Sequence, residues 1–310
     1  MRNLLLFSLP ILIVFISGCS QQAGQIQYKN DAITIENFII DNRAPYAGTY
    51  TSMEFDVQNN ADVTVKKVIV NFFDLPGFTV ANLDCGLPTY RVNKDNAYIC
   101  QFDKIDQLDS RHIAIKLKST QVKSPTPFTA SILVNYDHNG NREAIIPVID
   151  SAIKREPSFK FSQSTPNYGP VVFDIQPLIE REVKVGNQVV KQYWGVNGNE
   201  FVTKFVMNEI GTVNDKPPLN VPGKNVIFST VNLEPTNCPS FDTNPADTPS
   251  VQGKYTGTSK FPVNKTFNTL VCTFKPTSAQ TEFTSILSVK YSYTYQFIRR
   301  ENFVIQPPLS

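Results

Sequence analysis

The chain has 310 residues, and 29 basic against 27 acidic side chains leave a net charge of +2. That balance excludes the electrostatic footprint of a nucleic-acid binder, or of a protein held to anionic lipid by charge alone. At this length two domains are the natural expectation, and 22 Phe, 12 Tyr and 22 Pro favour short, half-buried strands over helices.

The chain opens with Arg2 and an apolar run from Leu4 to Ile16, the pattern of an export signal. The run is too short for a spanning helix, which takes about 20 residues. At its end stands Ser17-Gly18-Cys19, which resembles the lipobox of prokaryotic lipoproteins. The resemblance implies that residues 1–19 are a lipoprotein signal peptide and that Cys19 becomes the new N-terminus, carrying a diacylglycerol. Membrane lipid is then a partner, since two acyl chains at about 0.8 kcal/mol per buried CH₂ anchor a protein stably. Residues 20–31 read as a polar tether. The expected address is the cell envelope, on the extracytoplasmic face of a membrane.

Residues 32–150 form the first expected domain. Strands are expected over Ala32–Ile40, Tyr50–Gln58, Thr64–Phe73, Tyr98–Phe102, Arg111–Lys118, Thr129–Tyr136 and Arg142–Val148. Ile33 and Ile35, then Ile113, Ile115 and Leu117, alternate with polar residues as in a sheet with one wet face. His138-Asn139-Gly140-Asn141 lies between two such runs and reads as a hairpin turn, because Asn-Gly accepts positive φ. Residues 151–170 lack a clear period and read as a linker.

Residues 171–310 form the second expected domain. Its strands are Val171–Ile175, Glu180–Val185, Val189–Trp194, Glu200–Met207, Asn225–Thr230, Thr269–Phe274, Phe283–Phe297 and Glu301–Ile305. Val183 to Lys191, with Gly186-Asn187 at the centre, reads as a hairpin that the first domain lacks. Val289, Tyr291, Tyr293, Tyr295 and Phe297 share one face of a long strand, with Ser288, Lys290, Ser292, Thr294 and Gln296 on the other.

The two halves repeat one order of elements. Tyr98–Phe102 matches Leu270–Phe274 around a cysteine, Phe128–Tyr136 matches Phe283–Tyr291, and Phe55–Asn59 faces Phe205–Asn208. Four cysteines remain beside Cys19, and an even number outside the cytoplasm points to disulfides with three possible connectivities. Cys85–Cys100 and Cys238–Cys272 keep each bridge inside one domain. The first separation is short for a bridge between two sheets. The fold class expected is all-β, with two tandem antiparallel β-sandwiches. Strand number, the Asn after an early strand and the repetition resemble the immunoglobulin-like, cell-adhesion-related modules of prokaryotic surface proteins, which implies a contact function.

Little chemistry is legible. His112 and His138 are the only histidines, and both read as solvent-facing. Asp103, Asp106 and Asp109 are spaced by three but lack the Gly turn of a calcium loop, so no metal is expected. No phosphate loop, dinucleotide fingerprint or nucleophile elbow is present, so neither a cofactor nor an enzyme is expected. Asn264-Lys265-Thr266 fits a glycosylation acceptor. The disulfide-based segment between Cys238 and Cys272 carries Phe241, Tyr255, Phe261 and Phe267 as a possible recognition loop. The function expected is that of a non-catalytic envelope lipoprotein in adhesion, scaffolding or protein binding, with an envelope protein or polysaccharide as partner. The alternative is an accessory or ligand-binding subunit of a membrane transport or secretion complex.

Overall fold

A computed structural model describes residues 31–86, 90–94, 97–209, 226–238, 241–242, 254–259 and 269–309, and every regular element among them is a β-strand. The first half supplies β1 (Ile33–Ile40), β2 (Tyr50–Asn59), β3 (Val65–Asp74), β4 (Phe78–Asp84), β5 (Tyr90–Lys94), β6 (Ala97–Ile105), β7 (Ser110–Ser119) and β8 (Thr126–Ile149). After these come β9 (Ser162–Gln163), β10 (Val171–Pro177), β11 (Glu180–Val185), β12 (Gln188–Tyr193), β13 (Gly195–Val196) and β14 (Phe201–Glu209). The chain ends with β15 (Val226–Val231), β16 (Leu233–Asn237), β17 (Phe241–Asp242), β18 (Lys254–Ser259), β19 (Thr269–Pro276) and β20 (Glu282–Ile305). Of these, β4, β5, β9, β13, β16, β17 and β18 are not foreseen from the sequence.

Two four-stranded sheets, β1-β2-β7-β4 and β10-β14-β19-β16, pack on one ten-stranded sheet ordered β17-β18-β15-β20-β8-β3-β6-β5, with β9 and β13 joined to β8. The result is a pair of antiparallel β-sandwiches. Phe55 of the first small sheet lies 6.0 Å from Phe72 of the large one, and Phe205 of the second lies 4.7 Å from Phe228. Each buried ring of this kind contributes about 1.5–3 kcal/mol over an exposed one.

The sandwiches interlock through β8 and β20. Each is a single strand of 24 residues, and they pair antiparallel along their whole length, from Thr126↔Ile305 to Ile149↔Glu282. The beginning of β8 lies beside β3, while its end takes β9 and β13. In return, the end of β20 comes back to the first sandwich, where Phe303 sits 4.9 Å from Phe78. Ile132, Val134, Tyr136, His138, Ala144 and Ile146 all point inward on β8. That alternation never shifts, so both small sheets lie on the same face of the large one.

Three expectations are corrected here. The turn at His138–Asn141 does not exist: Asn139 and Gly140 sit in mid-strand opposite Ser292 and Tyr291. Gly140 serves packing instead of turning, because a Cβ there would come within 2.2 Å of the Tyr291 ring. Phe283–Phe297 and Glu301–Ile305 are likewise one strand. His138 is buried, not solvent-facing.

Both disulfides form, Cys85–Cys100 and Cys238–Cys272. The first follows β4 and ends on β6, so it joins a small sheet to the large one despite its 15-residue separation. Cys238 follows β16, which holds the position that β4 holds in the first sandwich. Cys272, however, lies on β19 of a small sheet, whereas Cys100 lies on the large one. The sequence match around these two cysteines therefore joins non-equivalent strands, each showing the two-residue period of an inward cysteine and aromatic. The match between β2 and β14, and that between β8 and β20, do join equivalent strands. Asn59 caps its strand by donating from Nδ2 to the carbonyls of Val63, Ile105 and Asp106, while Asn208 is exposed.

Candidate functional site

The two sandwiches differ most between their first two strands. Residues 41–49 join β1 to β2, whereas β10 and β14 are separated by β11, β12 and β13. Gly186, at φ 62°, makes the tight turn between β11 and β12, as the sequence foretells. The hairpin pairs in register from Glu180↔Tyr193 to Val185↔Gln188 and belongs to neither sandwich. Val189 is 57% exposed and Val190 39%, so the hairpin shows adjacent apolar side chains to solvent.

Beneath the hairpin runs a recess of about 360 Å³, bounded by Glu156, Pro157, Phe159, Lys160 and Phe161 on one side and by Val190, Lys191, Gln192, Tyr193 and Trp194 on the other. This is within the size range of sites for small ligands or single side-chain clusters. The wall at 156–161 is held from behind. Glu282, at the start of β20, accepts hydrogen bonds from the Ser158 backbone N–H and from Arg155, and these hold its carboxyl below the usual range. Further along, Arg142 bonds Gln163 Oε1 and the Ser164 carbonyl. Residues 151–170 are thus fastened to the large sheet along much of their length.

The other wall is equally fixed. Gly195 pairs with Val148 of β8, which seats the preceding Trp194. The Arg181 guanidinium lies 5.3 Å from the Trp194 ring centroid, close enough for cation–π attraction. Phe161 and Tyr193 meet at 5.4 Å and close one end of the recess. Lys191 pairs with Glu180, which raises the lysine and lowers the carboxyl from their usual values. A second hollow of about 390 Å³ on the far side of Trp194 is lined by Lys154, Arg155, Arg181 and Asn199 among others. Trp194 and Glu156 border both hollows.

The chemistry on offer is binding: aromatic and aliphatic surface, several cations and few anions. Among the described residues no three His, Cys, Asp or Glu side chains gather where a metal ion would sit. Asp106 is engaged by Lys104 and Thr64, and Asp109 by Arg111, so two of that series of carboxylates are spent on local pairs. His112 is exposed and lies 2.9 Å from Asp56. The other foreseen recognition surface is placed only in part. Phe241 falls on the edge strand β17 and Tyr255 on its neighbour β18, while Phe261, Phe267, Asn264 and the lipidation residue Cys19 lie outside the described residues. Trp194 and Phe159 go unnoticed as site residues in the sequence. Their signal is there, a single tryptophan at the exit of an inserted hairpin.

No protein-family model matches the chain, and no curated protein does. Among solved structures, the chain is similar to an Enterococcus faecalis MSCRAMM, ACE, described as binding its ligands by the collagen hug model. Identity there is 8%, the alignment covers 91% of this chain and 97% of that one, and the TM-score is 0.20. The C-terminal domain of the Streptococcus agalactiae AgI/II polypeptide BspA aligns at 10% identity over 86% of this chain and 95% of that one, with a TM-score of 0.19. The collagen adhesin CNA from S. aureus aligns at 10% identity over 90% and 95% of the two chains, with a TM-score of 0.14. Scores of this size give no residue-level correspondence, so the chemistry of the recess is read from its own side chains.

Proposed function

We propose that the protein is a non-catalytic, lipid-anchored surface protein of the cell envelope that works by contact, in adhesion or scaffolding, and that the recess beneath the β11–β12 hairpin is where it meets its partner. The observation that carries this reading is the exposure of Val189, Val190 and Phe159 around an aromatic-lined recess, on a frame stiffened by two disulfides and two full-length shared strands. Rigid scaffolds of this kind commonly carry recognition on inserted loops.

The proposed anchor fits the same geometry. Ala32 and Ile33 are buried, and the Ala32 carbonyl accepts from the Asn60 N–H just past the end of β2. The described chain thus starts on a buried, hydrogen-bonded segment directly after the proposed tether. Two substitutions test the proposal. Cys19→Ala is expected to move the protein from the detergent phase to the aqueous phase, or to leave its signal uncleaved; a processed variant that still enters the detergent phase contradicts the anchor. Phe159→Glu with Val190→Glu is expected to reduce attachment of displayed protein to its target surface at least tenfold, with an unchanged melting temperature. If what is captured from membranes is a multispanning permease, the accessory-subunit alternative replaces adhesion.

A further inference from the structure

We infer that the recess is a slot for an extended, acidic polypeptide strand of a partner protein, added to the free edge of β12; this deepens the contact reading above and rests on it. The first observation is which residues line the slot. Val190, Lys191, Gln192, Tyr193 and Trp194 are consecutive. Successive strand residues point to opposite faces, so a cavity touched by all of them runs along the edge of the strand and not across a face.

That edge has no partner among the described residues. β12 pairs only with β11. In an antiparallel pair every second residue directs its N–H and C=O away from the neighbour. Counting from the two-residue turn, these are Val189, Lys191 and Tyr193, and none of the three makes a backbone hydrogen bond beyond the hairpin. A row of donors and acceptors repeating every second residue is matched by a polypeptide in extended form, as in strand addition to exposed sheet edges. The six-residue, two-stranded sheet is also of marginal stability by itself, and a third strand would complete it.

Charge fixes the rest of the chemistry. Lys160 stands on the connector side and Lys191, already paired with Glu180, on the strand side, with Glu156 the one carboxylate on the lining. Lys160 makes no ion pair among the described residues, and Lys154 borders the neighbouring hollow. An occupant carrying Asp or Glu on one face and aliphatic side chains on the other meets the unpaired Lys160 with the first and Phe159, Val190 and Trp194 with the second.

Trp194 is the only tryptophan in the chain, so its fluorescence reports the slot directly. The full chain in detergent is titrated with a synthetic ten-residue peptide alternating valine with aspartate. A saturable change in emission is expected, weakened at least tenfold when alternate amides of the peptide are N-methylated. Replacing aspartate by lysine should weaken binding to a similar degree. Val189→Pro removes an outward N–H that the hairpin does not use and should also weaken binding at least tenfold. If that variant melts earlier than the parent, Lys160→Glu serves in its place, with the same loss expected. Equal binding of the N-methylated peptide, or no response to the acidic peptide, overturns the inference. A response to dextran sulfate without one to the peptide overturns it too, yet leaves the recess as a contact site.

Discussion

Phe303→Ala is expected to cost about 3–5 kcal/mol, and to loosen the first sandwich although only seven residues follow it in the sequence. Phe303 is 1% exposed and meets Phe78 edge to face at 4.9 Å. Its strand is also laced to the first sandwich by backbone bonds: Val304 donates to the Arg43 carbonyl, Gln306 to that of Pro45, and Ala47 to that of Gln306. Glu301 adds an ion pair to Arg43. Truncating the ring removes apolar contact and leaves a void between sheets that cannot close, because the disulfide from Cys85 to Cys100 joins those sheets. Hydrogen exchange should therefore speed up at β2, β3 and β7, with much smaller changes in β10, β14 and β19. Loss of protection confined to the second sandwich would contradict the interlock.

Acid is expected to destabilise the chain through one imidazole by about 3 kcal/mol between pH 7 and pH 4. His138 sits where β8 passes from one sandwich to the other, with the Tyr293 ring 5.5 Å away and Gly169 closing over its Nε2. Its Nδ1 has no hydrogen-bond partner, and burial lowers its pKa from 6.5 to about 4. The neighbouring phenols add no charge, since burial raises Tyr293 well above its ordinary value and takes Tyr291 to about 12. Between pH 4 and 6.5 the unfolded ring holds a proton that the folded one refuses. The unfolded state then binds more protons, so stability falls as pH drops through that window. The contribution is complete above pH 6.5 and gone below pH 4. Denaturant titrations of the wild type and of His138→Leu should diverge across this interval; parallel curves would contradict the buried, neutral ring.

Most of the longer strands and both disulfide pairings are legible in the sequence because they rest on local pattern, such as Ile113-Ala114-Ile115-Lys116-Leu117, or on the requirement that a bridge stay within one half. The interlock is not legible. Asn139-Gly140 carries the strongest local turn signal in the first half, and it loses to 24 residues of pairing with β20, a contact more than 100 residues away in the chain. Gly140 is there for the Tyr291 ring, a reason that no neighbour in sequence reveals. His138 follows from the same error: placed in a turn it looks wet, and placed in mid-strand it points into the core. The recess escapes notice because its walls come from two unremarkable stretches, residues 156–161 and 190–194, which the fastening of Ser158 and Arg155 to Glu282 brings together.

Site-specific photocrosslinking on intact cells tests the contact role most directly. A benzophenone side chain is introduced at Phe159 or Val190 beside the recess, or at Tyr50, which is 52% exposed on the other sandwich. Adducts with one partner from the first two positions and none from Tyr50 is the predicted result. Equal labelling from all three, or labelling from Tyr50 alone, would contradict a recess that meets the partner.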